Sequence, residues 1–417
     1  MSKIIIKGGN RLCGRVAVHG AKNSVLPIMA ATVICNGVNV IHNCPEISDV
    51  ETSIKILTHL GCVCSRQGST VTVDSTGVDK TDIPEALMRE MRSSIVFFGS
   101  VATRCGCCKL SSPGGCELGP RPIDLHISSL RELGLDINED GGYLCGRCKG
   151  RICGKRITLS FPSVGATENI ILTAATARGC TIICNAAREP EICDLQNFLN
   201  SAGADIRGAG SDTIIINGVD KLKGTEHTII PDRIETATLL SAVAITGGRA
   251  LITDVMPSHL SAVISVMREA GCEIRVNNNT ILINAPLRLG RIPMLRTMCY
   301  PGFPTDAGPP ILAMTTVAQG CSVFAENIFE NRFRYVDELK RLGAKVNVQG
   351  KIAVIEGVRR LCGANVNATD LRGGAALAVA ALAADGKTVI DKINYIDRGY
   401  QKIENSLAML GADAVRI

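Results

Sequence analysis

The chain has 417 residues, 46% hydrophobic and 20% charged, which is a globular balance and excludes a disordered polymer. Its formal net charge of +6, from 45 Lys+Arg against 39 Asp+Glu, comes without a basic run, and aromatic residues are only 3% with no Trp. A nucleic-acid binder built on charged tails and stacking rings is therefore disfavoured, and the core must be made of Ala, Ile, Leu and Val. Length alone predicts two or three domains. The opening MSKIIIKGGNRLCG lacks the apolar run of a secretion signal, and no stretch of about 18 apolar residues exists. A cytoplasmic protein that does not enter the membrane is expected.

Along the chain, a helix-like stretch ending in Leu or Ala plus Gly, then a strand-like stretch, recurs six times: ILTHLGCVC, LRELGLDIN, FLNSAGADIR, MREAGCEIR, LKRLGAKVN and LAMLGADAVRI. The landmark glycines are Gly61, Gly134, Gly203, Gly271, Gly343 and Gly411, so the unit is about 70 residues long. Each copy predicts an amphipathic helix closed by Gly, then a returning strand. Further apolar helices such as NIILTAATARG and TATLLSAVAITGG lie between the landmarks, each followed by a strand. The unit reads strand–helix–strand–helix–strand, an α/β (or α+β) module. Three copies fall on either side of GTEHTIIPDR, residues 224–233, the expected junction.

HGAKNSVLPIMAATVICNG places Lys22, Asn23 and Ser24 at a helix start, where free N–H groups and a lysine suit an anion. An Asn/Ser cap beside a solvated lysine explains the same pattern. Between Pro113 and Pro122 the segment SPGGCELGPRPIDLHI carries three prolines, three glycines, Cys116 and Arg121. It reads as an exposed loop whose cysteine is either reactive in an electropositive setting or incidental. In FPSVGATEN the amides at Ser163, Val164 and Gly165 suit a ligand oxygen, and a cap at Thr167–Glu168 fits equally well. PGFPTDAGPP carries the single carboxylate Asp306, and Arg332, Arg372 and Arg398 each stand by a turn or helix start. Arginines so placed suit phosphate or carboxylate clamps, or surface ion pairs. The 19 cysteines include a CxxC at Cys145 and Cys148 with no second pair at zinc-ribbon spacing. No metal is expected, and most cysteines are expected to be small reduced core residues.

With these residues in view, the sequence resembles the UDP-N-acetylglucosamine enolpyruvyl transferase family. The resemblance runs from KGG at residue 7 to DRGYQKIE near residue 404, through GAKNS, PGGCELGPRPIDLH, FPSVGATEN, PDRIET, PGFPTD, FENRF, ATDLRGG and DRGY in order. It implies two inside-out α/β barrel domains of three repeats each, with the active site in the interdomain cleft. The implied domains are residues 22–230, carrying a catalytic Cys loop at about 112–122, and residues 1–21 with 231–417.

The implied reaction joins the 3-hydroxyl of UDP-N-acetylglucosamine to C2 of phosphoenolpyruvate through a tetrahedral ketal and expels phosphate. By resemblance, Cys116 is the acid that protonates C3, forms a covalent adduct and is alkylated by fosfomycin-type epoxides. Asp306 takes the hydroxyl proton. Lys22, Arg121 and Arg398 face the phosphate of phosphoenolpyruvate, Arg332 and Arg372 its carboxylate, and Asn23 the intermediate. The sugar nucleotide is assigned Arg92, Arg121, Pro122, Ile123, Asp124, Leu125, Phe161, Pro162, Ser163, Val164, Gly165, Asp306 and Ile328. No cofactor, metal, nucleic acid or membrane partner is implied, and the oligomeric state is left open. The chain departs from the family after PGFPTD, where AGPP (307–310) replaces a glutamine-containing stretch. Alternatives are 3-phosphoshikimate 1-carboxyvinyltransferase, which shares the repeats, and a non-catalytic paralogue that binds the sugar nucleotide.

Overall fold

The computed structural model describes residues 2–111 and 123–417. Each landmark glycine sits just beyond the end of a helix with φ between +89° and +104°. This is the left-handed region that terminates a helix at little cost only for glycine. The helices so closed are Ser48–His59, Asp124–Glu132, Pro190–Ser201, Ser261–Glu269, Val336–Arg341 and Ile403–Met409. They are amphipathic, as in Ser261–Glu269, which buries Val263, Ile264 and Met267 on one face.

The chain then returns as two strands, not one. Leu135–Asp140 turns at Gly141–Gly142 into Tyr143–Cys148, and Glu273–Asn277 turns at Asn278–Asn279 into Thr280–Asn284. The repeat is therefore strand–helix–strand–helix–strand–strand, one strand longer than its sequence reading. The extra strand hides because a two-residue turn leaves the alternation of both arms nearly continuous.

Six four-stranded sheets result among the described residues, all with one plan: a parallel edge pair, then two antiparallel pairings. Six other helices carry little polar surface. Arg233–Ile245 and Gly308–Thr315 are buried at every position, and Lys22–Thr32, Phe97–Cys105, Val164–Ala174 and Leu371–Leu382 nearly so. Helices hydrophobic all round belong in a core, so the sheets enclose them with one face outward. This is the inside-out α/β arrangement that the resemblance implies.

The chain divides into two compact units, one comprising Met1–His19 with Pro231–Ile417 and the other the described residues between Gly20 and Ile230. Strand Cys13–Ala17 precedes the Lys22 helix yet pairs with Arg249–Thr253, while Glu226–Thr228 pairs with Val38–His42. Ile4–Lys7 lies between Lys387–Asp391 and Asp413–Arg416, completing the sixth sheet. Each unit has its own continuous apolar core. No helix among the described residues is long and apolar enough to cross a membrane.

The cysteines depart from expectation. Of the 18 described, only Cys35, Cys44, Cys62, Cys108 and Cys272 are buried; the others are half-buried or exposed. Burial pushes the Cys35, Cys44 and Cys272 thiols up to about 12, which makes them poor nucleophiles at neutral pH. Cys145 and Cys148 share one strand three residues apart and so face opposite sides of the sheet. No group of three or more His, Cys, Asp or Glu among the described residues is placed to hold a metal ion.

Candidate active site

The first residues of the buried helices coincide with most of the motifs singled out in the sequence. In the unit containing the C-terminus, Thr305–Ala307 forms a short 3-10 turn leading directly into helix Gly308–Thr315. The prolines of AGPP occupy the first turn of that helix, where backbone N–H groups need no intrahelical partner, so the departure costs no intrahelical hydrogen bond. Asp306 Oδ1 accepts from Arg332 Nη2 at 2.8 Å, and its Oδ2 from Arg372 Nη2 at 3.2 Å and Nε at 3.3 Å. Arg332 Nη2 also donates to the Thr305 carbonyl at 2.9 Å.

Both guanidinium side chains are 2% exposed, against 26% for Asp306. Arg332 Nε and Arg372 Nη1 are buried with no hydrogen-bond partner among the described residues. Unsatisfied buried cationic donors are costly, and two of them in one cluster suit a small anion that would take them up. Burial pulls the Arg372 pKa down, but Tyr400, Asp306 and Asp232 outweigh it, so the group stands above its ordinary value.

Asp370 caps helix Leu371–Leu382 by accepting from the Arg372 and Gly373 N–H groups, which fixes the base of the Arg372 side chain. Its guanidinium lies 5.2 Å from the Tyr400 ring centroid, and Tyr400 Oη is 2.8 Å from Thr238 Oγ1. Arg398 ends the 3-10 turn Ile393–Arg398, half-buried, two residues before Tyr400. Glu326, 2% exposed, was not anticipated. Its Oε1 accepts from the Ile328 and Phe329 N–H groups at 2.7 and 3.0 Å, and its Oε2 from Thr305 Oγ1 at 2.8 Å. It thereby joins the Ile328 turn to the Asp306 turn, a long-range link with no local sequence signal.

In the other unit, Lys22 opens helix Lys22–Thr32 and its ammonium lies 2.7 Å from Asp49 Oδ2, both groups buried. Asn23 follows, half-buried. The Asn/Ser cap is not formed: the N-cap is Ala21, without a side-chain bond, and Ser24 Oγ turns inward to Asp194. The lysine is not solvated either.

At Val164–Ala174 the cap is Ser163, whose Oγ accepts from Ala166 N–H at 3.3 Å. Thr167 instead accepts from Ala187 N–H and Glu168 is buried, so the Thr167–Glu168 cap is excluded. Phe161 is 44% exposed, and Pro162, Ser163, Val164 and Gly165 are half-buried. A Cβ on Gly165 would come within 2.8 Å of the His126 ring, so only glycine leaves this turn its shape. Ile123 and Leu125 are half-buried and Asp124 exposed, at the start of helix Asp124–Glu132. Cys116, Arg121, Pro122 and the side chain of Arg92 lie outside the described residues.

Burial, then the neighbouring Glu191 and Glu189, pushes the Glu168 carboxyl well above its usual range. A carboxyl with a raised folded-state pKa contributes stability that is full below its unfolded value and lost as pH rises above it. Glu168→Gln is therefore expected to raise Tm by a few degrees at pH 8, with the gain shrinking towards pH 4. Thermal melts of both proteins across that range check this; a gain independent of pH counts against it.

The model of the EPSP synthase (3-phosphoshikimate 1-carboxyvinyltransferase) family matches residues 6–407. The chain belongs to this family of enolpyruvyl transferases. Among curated relatives, UDP-N-acetylglucosamine 1-carboxyvinyltransferase 2 of Caldanaerobacter subterraneus is 51% identical over 418 residues, covering all of both chains. The UDP-N-acetylglucosamine 1-carboxyvinyltransferase of Geobacter metallireducens is 45% identical, again over the full length of both. Among solved structures, the enolpyruvyl transferase NikO from Streptomyces tendae aligns with a TM-score of 0.89 at 25% identity, covering 100% of this chain and 98% of that one. EPSP synthase from Acinetobacter baumannii shares the fold, with a TM-score of 0.76 at 18% identity over 100% of both chains. An enolpyruvyl transferase must bind a small polyanion, and buried cations with orphaned donors are the features that suit one.

Proposed function

We propose that this enzyme transfers the enolpyruvyl group of phosphoenolpyruvate to the 3-hydroxyl of UDP-N-acetylglucosamine and releases inorganic phosphate. The reaction would commit the sugar nucleotide to peptidoglycan, in the cytoplasm. The observation that carries this reading is Asp306 held between Arg332 and Arg372, of which Arg332 Nε and Arg372 Nη1 are buried without partners among the described residues. Full-length identity to relatives named for this activity supports it.

In the first step the sugar hydroxyl oxygen forms a bond to C2 of phosphoenolpyruvate while C3 gains a proton, giving a tetrahedral ketal. In the second, C3 loses a proton and the C2–O bond to phosphate breaks, leaving the enol ether. Asp306 accepts the hydroxyl proton as oxygen attacks, and the two arginines keep its carboxylate oriented. Their free N–H groups bind the carboxylate of phosphoenolpyruvate. Lys22, Arg121 and Arg398 bind its phosphate, so that charge developing on the leaving group meets fixed cations. Asn23 holds the hydroxyl and phosphate of the ketal. Cys116 supplies the proton to C3, as a thiol beside cations can near neutral pH. Arg92, Arg121 to Leu125, Phe161 to Gly165, Asp306 and Ile328 bind the sugar nucleotide, the exposed Phe161 ring offering a face for a base.

The test is phosphate release from phosphoenolpyruvate by the purified protein, run in parallel with UDP-N-acetylglucosamine and with shikimate 3-phosphate. Release with the sugar nucleotide alone is the expected result. Release with shikimate 3-phosphate instead moves the enzyme to the other branch of its family, and silence with both makes it a binding protein.

A further inference from the structure

Asp194 lies in helix Pro190–Ser201, 3% exposed, and none of the roles above uses it. Its Oδ2 accepts from the hydroxyl of Ser24, which is wholly buried in the first turn of the Lys22 helix. The same oxygen accepts from the Ile230 N–H at 3.3 Å, and the Ile230 carbonyl in turn accepts from the Ala21 N–H at 2.8 Å. Oδ1 lies 2.9 Å from His227 Nε2. The His227 ring meets Phe198, one helical turn beyond Asp194, edge-on with centroids 5.7 Å apart. One carboxylate thus reaches the start of the Lys22 helix by two routes, through a side chain within its first turn and through the backbone at its N-cap. Ala21 provides no side-chain cap, so this start is held from a neighbouring helix. A carboxylate near the positive end of a helix is favoured by the helix dipole.

We propose that Asp194, oriented by His227, is a positioning residue that fixes the Lys22–Asn23 turn for phosphoenolpyruvate. The inference rests on the roles given above to Lys22 and Asn23. Those two residues immediately precede Ser24, so a first turn free to shift moves the ammonium and the amide together. Small misplacements of such groups cost binding and rate steeply. A buried contact kept only for stability would leave substrate constants unchanged.

The experiment measures KM for each substrate and the phosphoenolpyruvate-induced rise in Tm, in wild type, Ser24→Ala, Asp194→Asn, His227→Ala and His227→Gln. Ser24→Ala and Asp194→Asn are expected to raise KM for phosphoenolpyruvate about 10-fold, with KM for the sugar nucleotide changing less than about 2-fold. The ligand-induced Tm rise should shrink in parallel. His227→Gln, which retains a donor towards Asp194, should recover most of what His227→Ala loses. If Asp194→Asn does not fold, Ser24→Ala and the His227 pair decide. Folded variants with a wild-type KM and Tm rise overturn the inference, as does an equal change in both KM values. A wild-type protein that binds phosphoenolpyruvate but releases no phosphate overturns the functional reading instead, and the Tm rise then still decides the role of Asp194.

Discussion

Asp306→Ala is expected to lower the unfolding free energy by about 3 kcal/mol and to cut phosphate release about a thousandfold. Both effects have one source. Arg332 and Arg372 are each 2% exposed, and Asp306 is the carboxylate to which both donate. Its removal leaves two buried like charges facing each other and takes away the acceptor for the sugar hydroxyl proton. Asp306→Asn separates the contributions: the amide oxygen still accepts from a guanidinium and should restore part of the stability, while turnover stays low. Denaturant melts and phosphate-release rates on the three proteins check this. A variant as stable as wild type would show that the arginines do not depend on Asp306, and full turnover in Asp306→Asn would remove it from proton transfer.

The second large effect falls on Cys116. Cys116→Ser is expected to reduce turnover by about 10²–10⁴, because an alcohol is too weak an acid near neutral pH to protonate C3. Cys116→Asp keeps an ionisable acid in the same place and should retain much more activity. Both variants should resist fosfomycin-type epoxides, which need the thiol as nucleophile. Rates with and without epoxide, together with peptide mass spectrometry, provide the check. Persistent inactivation of Cys116→Asp, or an adduct on another cysteine, would overturn the assignment.

The repeat was legible because its marker is chemical. A helix terminated at φ near +100° needs glycine, and glycine recurs there six times. The helix starts at Lys22, Val164 and Leu371 were legible because small residues cluster there, joined at the last two by a side-chain cap. What stayed hidden depends on partners distant in sequence. Asp194 meets Ser24 across 170 residues, and Glu326 joins turns 21 residues away through Thr305. Nothing in the local pattern around either carboxylate distinguishes it from a solvated surface acid. In hairpins such as Glu273–Asn277 with Thr280–Asn284, the second strand was merged with the first because alternation continues through a two-residue turn. Cysteine misled in the opposite sense: its common burial does not carry over to sheet faces such as that of Cys145.

The strand Ile4–Lys7, held between Lys387–Asp391 and Asp413–Arg416, gives the chain an order of completion during synthesis. The unit between Gly20 and Ile230 holds all its strands once Glu226–Thr228 has left the ribosome, and it is free to close at that point. The other unit draws its strands from both sides of that segment. At 5–20 residues per second, Ile4–Lys7 waits roughly 10–40 s after Ile230 for its second partner strand. Throughout that interval a nascent IIIK segment presents unpaired backbone and three consecutive isoleucines, the combination that invites pairing with a foreign strand. The early residues are therefore the part of this protein with most to gain from a chaperone at the ribosome exit.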